Sequence, residues 1–267
     1  MFIPVKYLLM EAKAKKLLSK VPEITIYFWI IKILCTTVGE TAADYLNMTL
    51  GFGLTNTTYF MGAILIAMLV WQFRLRKYVP TVYWLVVVLL SIVGTLITDN
   101  LTDRMGVPLI YSTIGFSVAL AVTFYAWYKS EGTLSIHSIN TFKREAYYWL
   151  TILFTFALGT ASGDLIAEQF GVGYFASIIL FAALIGVITL AHYKFRLNSV
   201  LAFWLAYILT RPLGASIGDF MSQPNDAGGL GLGTIVTSVI FLVAIVILVI
   251  YLTITRADAP KGVKAEV

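Results

Sequence analysis

The sequence predicts an all-α polytopic membrane protein with eight transmembrane helices, arranged as four parallel two-helix repeats. Of its 267 residues, 59% are apolar or aromatic and 12% are charged, which is about half the charged share of an average soluble domain. Apolar stretches of about 20 residues recur along the chain, and each is long enough to cross a bilayer. A spacing from tryptophan to aspartate also recurs four times within these stretches.

Eight spans follow from the hydropathy, joined by short loops. We expect them near residues 24–46, 57–75, 81–101, 107–128, 144–166, 174–193, 198–221 and 231–254. Sixteen of the 19 lysines and arginines fall in the loops and terminal segments on one side of these spans. Short segments rich in Lys and Arg face the cytoplasm, so we expect both termini inside. This one-sided charge indicates membrane orientation and does not indicate a nucleic-acid partner.

The predicted organisation has five parts. They are a basic amphipathic interfacial segment at 1–21, a first membrane half with two repeats at 22–128, a cytoplasmic linker at 129–145, a second half with two repeats at 146–255, and a cytoplasmic tail at 256–267. In the first part, Lys6, Lys13, Lys16 and Lys20 share one helical face, which favours the anionic membrane surface. The single cysteine, Cys35, excludes a disulfide framework and a thiolate metal cage.

Each repeat is marked by a tryptophan, a glycine ten residues later and an aspartate fifteen residues later. The glycines are Gly39, Gly94, Gly159 and Gly214, and the tryptophans are Trp29, Trp84, Trp149 and Trp204. Since each repeat has two spans, successive repeats enter the membrane in the same direction. Each glycine and the small residue four positions later permit close helix packing. We expect the tryptophans and tyrosines to lie mostly in interfacial belts.

The aspartates of the four motifs are the first candidates for function, because carboxylates inside a membrane are unfavourable and rare. They are Asp44, Asp99, Asp164 and Asp219. In the first repeat, Glu40, Thr36 and Lys32 follow Asp44 inward at spacings of four, so they form one polar stripe. We predict that Glu40 and the four aspartates bind a metal cation, with Lys32, Thr36 and Arg211 as the counter-charged part of the site. The alternative is that the aspartates are solvated helix-end groups.

Lys32 is unfavourable at mid-span, and we expect it to pair with a carboxylate of a neighbouring helix or to extend to the membrane surface. The carboxylates near the ends of the outer loops, Asp103, Glu168 and Asp226, are expected to be exposed. The run Gly228–Gly233 follows no strand and lacks the Lys-Ser/Thr pair of a phosphate-binding loop. No motif predicts an enzyme or a cofactor.

These residues predict a secondary transporter that moves a small cation, expected to be a metal ion, with proton coupling through intramembrane carboxylates. The first alternative is a cation channel, in which the four first spans surround a pseudo-fourfold pore with a ring of aspartates at its mouth. The second is a membrane scaffold or sensor without transport. The predicted partners are the lipid bilayer and the cation.

The segments TTVGETAADYL, GTASGDLIAEQFGVGYF and TRPLGASIGDFM carry the repeated motif. Through them, roughly residues 22–255 resemble a family of uncharacterised bacterial integral membrane proteins built from four tandem two-helix repeats, each with a tryptophan. The second repeat departs most, since it has Pro108 where others have glycine. The resemblance implies the bacterial inner membrane and brings no substrate.

Overall fold

The computed structural model of the chain describes residues 19–259. Most of the predicted interfacial segment and the tail from residue 260 onward lie outside the described residues. Within the described range, eight helices are long and apolar enough to cross a membrane, so the chain is a multi-pass membrane protein. The prediction of an all-α protein with eight spans is confirmed.

The eight helices follow the predicted spans closely. Their bounds are α1 Ile26–Asp44, α2 Leu54–Arg74, α3 Pro80–Asp99, α4 Leu109–Glu131, α5 Phe142–Asp164, α6 Tyr174–Phe195, α7 Ser199–Ser222 and α8 Gly233–Thr255. Local sequence sets several of the starts. The side chains of Thr25, Thr141 and Asn198 accept hydrogen bonds from the first backbone N–H groups of α1, α5 and α7, and Pro80 stands at the first position of α3.

In three of the four repeats, the helix of the first span does not end at its aspartate but widens there. Immediately after Asp44, Asp99 and Asp164, the helix continues as a five-residue π-helical turn. Such turns are rare and are found often at functional sites. The fourth first span lacks this turn, because α7 stays α-helical past Asp219. In three repeats, therefore, the aspartate lies at the junction between the two helix types.

The four first spans form a closed inner ring. Helix α1 packs on α3, α3 on α5, α5 on α7, and α7 on α1. The second spans lie outside this ring, and each packs on the first span of the next repeat: α2 on α3, α4 on α5, α6 on α7 and α8 on α1. The most apolar part of each inner span is 61–83% buried, against 11–28% for each outer span. The outer spans therefore present most of their surface to lipid.

The four motif glycines close this ring. A Cβ atom added at each would come within 3.0 Å of a side-chain atom on the next inner helix. The atoms met are Ser91 Oγ at 1.9 Å from Gly39, Phe156 Cβ at 2.6 Å from Gly94, Arg211 Cγ at 2.2 Å from Gly159 and Thr36 Oγ1 at 1.9 Å from Gly214. Each contacted residue lies seven positions after its own tryptophan. The prediction that these glycines are packing devices is confirmed.

Substitution of one ring glycine tests this packing. We expect Gly94→Ala to lower the free energy of unfolding by about 1–3 kcal/mol, because its Cβ would overlap Phe156 and approach the Ala157 nitrogen at 3.2 Å. The matched control is Gly186→Ala in the outer helix α6, where no atom lies within 4 Å of the added Cβ. Thermal unfolding in detergent measures both. Equal effects of the two variants would show that the glycine does not set the ring spacing.

A buried polar cluster holds the chain segment before α1 against the start of α5. Lys20 Nζ lies 2.6 Å from Glu145 Oε2 and donates to the Phe73 carbonyl at 3.0 Å, while Gln72 Nε2 donates to Glu145 Oε1 at 3.0 Å. The prediction that Lys20 lies on a membrane-surface face is wrong, because Lys20 is only 9% exposed and Glu145 is fully buried. Local periodicity placed Lys20 on a basic face, but a distant carboxylate binds it.

Candidate functional site

Each inner helix contributes one residue per turn to the axis of the ring. The contributing positions lie 3, 7, 11 and 15 residues after the tryptophan, and a spacing of four keeps side chains on one helix face. From the end that holds the aspartates, which we call the carboxylate end, the four residues at each offset form a layer. The layers are Asp44, Asp99, Asp164 and Asp219; then Glu40, Thr95, Thr160 and Ala215; then Thr36, Ser91, Phe156 and Arg211; then Lys32, Val87, Ile152 and Tyr207.

Arg211 occupies the centre of this arrangement. Its side chain is fully buried, and Nη2 donates to Glu40 Oε2 at 2.7 Å, to Thr160 Oγ1 at 2.7 Å and to Thr95 Oγ1. Its Nη1 donates to the Thr36 carbonyl at 3.4 Å. One guanidinium on α7 thus contacts all three other inner helices, so it lies across the axis. The structure brings Arg211 and Glu40 together as counter-charges.

Thr36 supports this pair from the side. Its hydroxyl shares its single proton between the Ile33 carbonyl at 2.7 Å and the Thr210 carbonyl at 3.2 Å. The second bond joins α1 to α7 one residue before Arg211. Pro212 follows within α7 and has no N–H to continue the helical bonding. Thr36 therefore fixes the helix position from which the guanidinium reaches the axis.

Lys32 lies one layer deeper and pairs with no carboxylate. Its side chain is fully buried, and Nζ has no hydrogen-bond partner among the residues that the structure describes. The nitrogen lies 4.3 Å from the centroid of the Phe156 ring and 4.3 Å from that of Tyr207, in cation–π geometry. The prediction that Lys32 pairs with a carboxylate or extends to the surface is wrong. The Glu40 carboxylate pairs with Arg211 and not with Lys32.

The four aspartates surround Glu40 at the carboxylate end. Asp219 is 7% exposed and the other three are partly buried. The carboxylates of all four interact electrostatically with Glu40, and Asp44 interacts in turn with Arg211. Among residues 19–259, none of the four lies within ion-pair distance of a lysine or arginine. The structure thus places four carboxyl groups that form no ion pair of their own next to one buried ion pair. The predicted exposure of Asp103, Glu168 and Asp226 is confirmed.

The predicted metal ligands do not form a closed coordination sphere. Within the described part of the chain, no three carboxylate, thiol or imidazole groups lie close enough together to hold one metal ion. Tight binding of a dehydrated divalent ion requires several protein oxygens around it. The described carboxylates therefore do not supply such a ligand set.

Two features of the axis were not predicted. The first is an aromatic layer one residue before each tryptophan, formed by Phe28, Tyr83, Tyr148 and Phe203. The hydroxyls of Tyr83 and Tyr148 lie 2.5 Å apart. The second is that Trp84, Trp149 and Trp204 are at most 3% exposed, so their assignment to an interfacial belt is wrong. The repeated Tyr-Trp pair at 83–84 and 148–149 is the signal that could have indicated both.

Comparison with known proteins agrees with the repeat structure. The family model described as "Repeat of Unknown Function (DUF347)" matches four tandem stretches, residues 27–78, 82–133, 147–198 and 202–258. Each stretch contains one complete motif from tryptophan to aspartate. Searches of curated proteins and of solved structures gave no match.

Proposed function

Because the chain belongs to the family of repeats of unknown function (DUF347), we propose its function from the geometry of its axis. The protein is a secondary transporter of a small inorganic cation, coupled to protons and located in the bacterial inner membrane. The observation that carries this proposal is the buried Glu40–Arg211 pair, which lies on the axis beneath four aspartates that form no ion pair of their own.

This pair gives Glu40 alternative partners. A carboxylate bound to Arg211 is neutralised by the guanidinium, and a cation entering from the aspartates competes for the same oxygens. Protonation of Glu40 weakens its bond to Arg211 in the same way, since a charge-assisted bond needs the carboxylate form. Cation and proton therefore act on the same carboxylate. A ligand that binds one state of Glu40 better shifts the equilibrium between the state bound to Arg211 and the state released from it. Coupled exchange follows from this competition.

The orientation follows from the basic loops. The segments rich in Lys and Arg flank the tryptophan end of the inner helices, which supports a cytoplasmic location of that end. The aspartates then face the outside, about 22 Å from the tryptophans at 1.5 Å per residue. The cation enters the acidic surface from the exterior or leaves by it.

The hydration of the cation follows from the ligand geometry. Since the described residues hold no group of three metal ligands, the cation binds through the aspartates with water molecules retained. Magnesium-like ions bind in this manner, because they lose water reluctantly. We therefore propose a hydrated metal cation as the substrate class.

The arrangement favours a transporter over a channel. A channel needs a continuous path, and a cationic constriction repels cations. Here the guanidinium of Arg211 lies across the axis, and Phe156, Lys32 and Tyr207 are buried beneath it. A scaffold would require neither the buried ion pair nor the gathered aspartates.

A cation screen on the purified protein tests this proposal. We expect one class of inorganic cation to raise the midpoint of thermal unfolding in detergent, because ligands that bind the folded state stabilise it. Asp99→Asn and Asp164→Asn should weaken the apparent affinity about tenfold each. The matched control is Asp226→Asn, which removes an exposed carboxylate and should leave the affinity unchanged. Absence of a shift with any cation, or an equal loss in the control, would contradict the proposal.

A further inference from the structure

A pair of tyrosine hydroxyls lies in the core on the cytoplasmic side of Lys32. Tyr83 on α3 and Tyr148 on α5 are both fully buried, and their oxygens lie 2.5 Å apart. A phenolic hydroxyl donates one hydrogen bond and accepts others. The pair can therefore pass a proton from one helix to the next without a charged side chain.

Tyr207 connects this pair towards Lys32. It is fully buried on α7, its ring lies 4.3 Å from Lys32 Nζ, and it interacts electrostatically with Tyr148. Neither the Tyr207 hydroxyl nor Lys32 Nζ has a hydrogen-bond partner among the described residues. Buried polar atoms are almost always satisfied, so both groups keep unused hydrogen-bonding capacity within the described structure.

Tyr78 connects the pair towards the tryptophan end. Its ring meets that of Tyr83 edge-on at 5.6 Å between centroids, and its hydroxyl donates to Asp258 Oδ2 at 2.5 Å. Asp258 is 1% exposed, and its other oxygen is buried without a partner within residues 19–259. It lines a cavity of about 180 Å³ together with Lys77 and Arg256. Since both of these are exposed, the cavity opens at the surface.

Asp258 has the chemistry needed at the end of this series of hydroxyl groups. Burial raises the pKa of this carboxyl above its usual value, while the hydrogen bond from Tyr78 acts in the opposite direction. The group therefore takes up a proton at a higher pH than an exposed aspartate. Burial also raises the pKa of Tyr78 well above its usual value, which keeps it a neutral hydroxyl.

Arg211 interacts with Lys32 but is held by Glu40, and two further titratable groups near the tyrosines are poor competitors. Glu145 interacts with Tyr148, but Lys20 at 2.6 Å and Gln72 at 3.0 Å hold its carboxylate as a fixed ion pair. Cys35 is buried beside Lys32 and Tyr207, but a buried thiol is a weak donor and acceptor. Asp258 is thus the carboxylate that lines the cavity and has an oxygen without a partner among the described residues.

We propose that Tyr207, Tyr148, Tyr83 and Tyr78 form a proton relay between Lys32 and Asp258. The relay rests on the proton coupling proposed above and gives the proton its route to the cytoplasmic side. In each step one hydroxyl accepts a proton on oxygen and releases its own to the next oxygen. Two of these contacts, Tyr83 with Tyr148 and Tyr78 with Asp258, are hydrogen bonds in the structure, and the others must form by side-chain movement before the proton passes. Only O–H and N–H bonds form and break. Asp258 finally releases a proton into the cavity, and the reverse sequence carries a proton outward.

Phenylalanine variants in reconstituted vesicles test the relay. A pH-sensitive dye inside the vesicles reports proton flux, and the cation-induced shift in thermal unfolding reports the cation site. We expect Tyr83→Phe and Tyr148→Phe to slow cation-driven proton flux at least tenfold, with the thermal shift retained. The matched control is Tyr27→Phe, which breaks a second tyrosine hydroxyl pair, Tyr27 with Tyr251 at 3.3 Å, outside the axis. It should leave the flux unchanged.

Asp258→Asn gives a second and independent variant, because the amide still accepts from Tyr78 but cannot carry a proton. We expect the same loss of flux. If the wild type moves protons with the cation and all three relay variants match it, the relay is overturned and the transport function stands. If the wild type moves no protons with any cation, the proposed function fails and the relay falls with it.

Discussion

Arg211→Gln is expected to lower the free energy of unfolding by about 3–5 kcal/mol and to abolish cation transport. Removal of one partner of a buried ion pair leaves the other charge uncompensated in a low-dielectric core. Here the orphaned group is Glu40, which Arg211 binds at 2.7 Å beneath four further carboxylates. The variant also loses the bonds to Thr95 and Thr160 that join α7 to α3 and α5.

A double-mutant cycle in detergent measures the pair itself. Glu40→Gln with Arg211→Gln should recover part of the loss, because neither member of the pair is then left as an unpaired buried charge. The matched control is Arg144→Gln, since Arg144 bonds Glu131 at 2.9 Å with side chains 25% and 15% exposed. A partly exposed pair contributes about 1 kcal/mol or less. An Arg211→Gln protein as stable as Arg144→Gln would contradict the central position assigned to the guanidinium.

Lys32→Met is expected to act in the opposite direction on stability. The amine is fully buried without a hydrogen bond, and burial of such a group is unfavourable. Methionine has similar length, packs well against the rings of Phe156 and Tyr207, and needs no polar partner. We expect stability to rise by about 1–3 kcal/mol, while proton flux falls at least tenfold.

Lys129→Met is the control for this variant. Lys129 lies 5.9 Å from the Tyr125 ring at an exposed position, so its replacement should change neither stability nor flux. Thermal unfolding and dye-reported flux are measured on the same preparations. A strong loss of stability in Lys32→Met would show that the amine is a structural group, and retained flux would remove it from the proton path.

The fold was largely predictable because the information for it is local and repeated. Hydropathy alone gives eight spans, since every lipid-crossing helix needs an apolar run of sufficient length. The fixed spacing from Trp29 to Gly39 and Asp44, repeated three more times, gives four parallel units. The packing of each second span on the next repeat was not predictable, because all outer helices are similarly apolar and any inner helix could receive them.

The site was predictable only in part. The aspartates follow from charge at one membrane depth, and their offsets from the tryptophan place Glu40 one turn deeper and Arg211 two turns deeper. The layer that contains Thr36, Ser91, Phe156 and Arg211 was missed because its four members share no chemistry. The wrong prediction for Lys32 has a similar cause. The polar stripe describes spacing along α1 alone, whereas the residues that contact Lys32, Phe156 and Tyr207, lie on α5 and α7.

Simultaneous measurement of cation and proton flux in vesicles containing the purified protein tests most directly whether Glu40 is shared between cation and proton. The wild type should move the stabilising cation against a counter-flow of protons, and the rate should depend on the pH gradient. Glu40→Gln should stop both fluxes while the protein stays folded and monodisperse. A cation flux that does not depend on the pH gradient, or unchanged cation and proton fluxes in Glu40→Gln, would contradict the account.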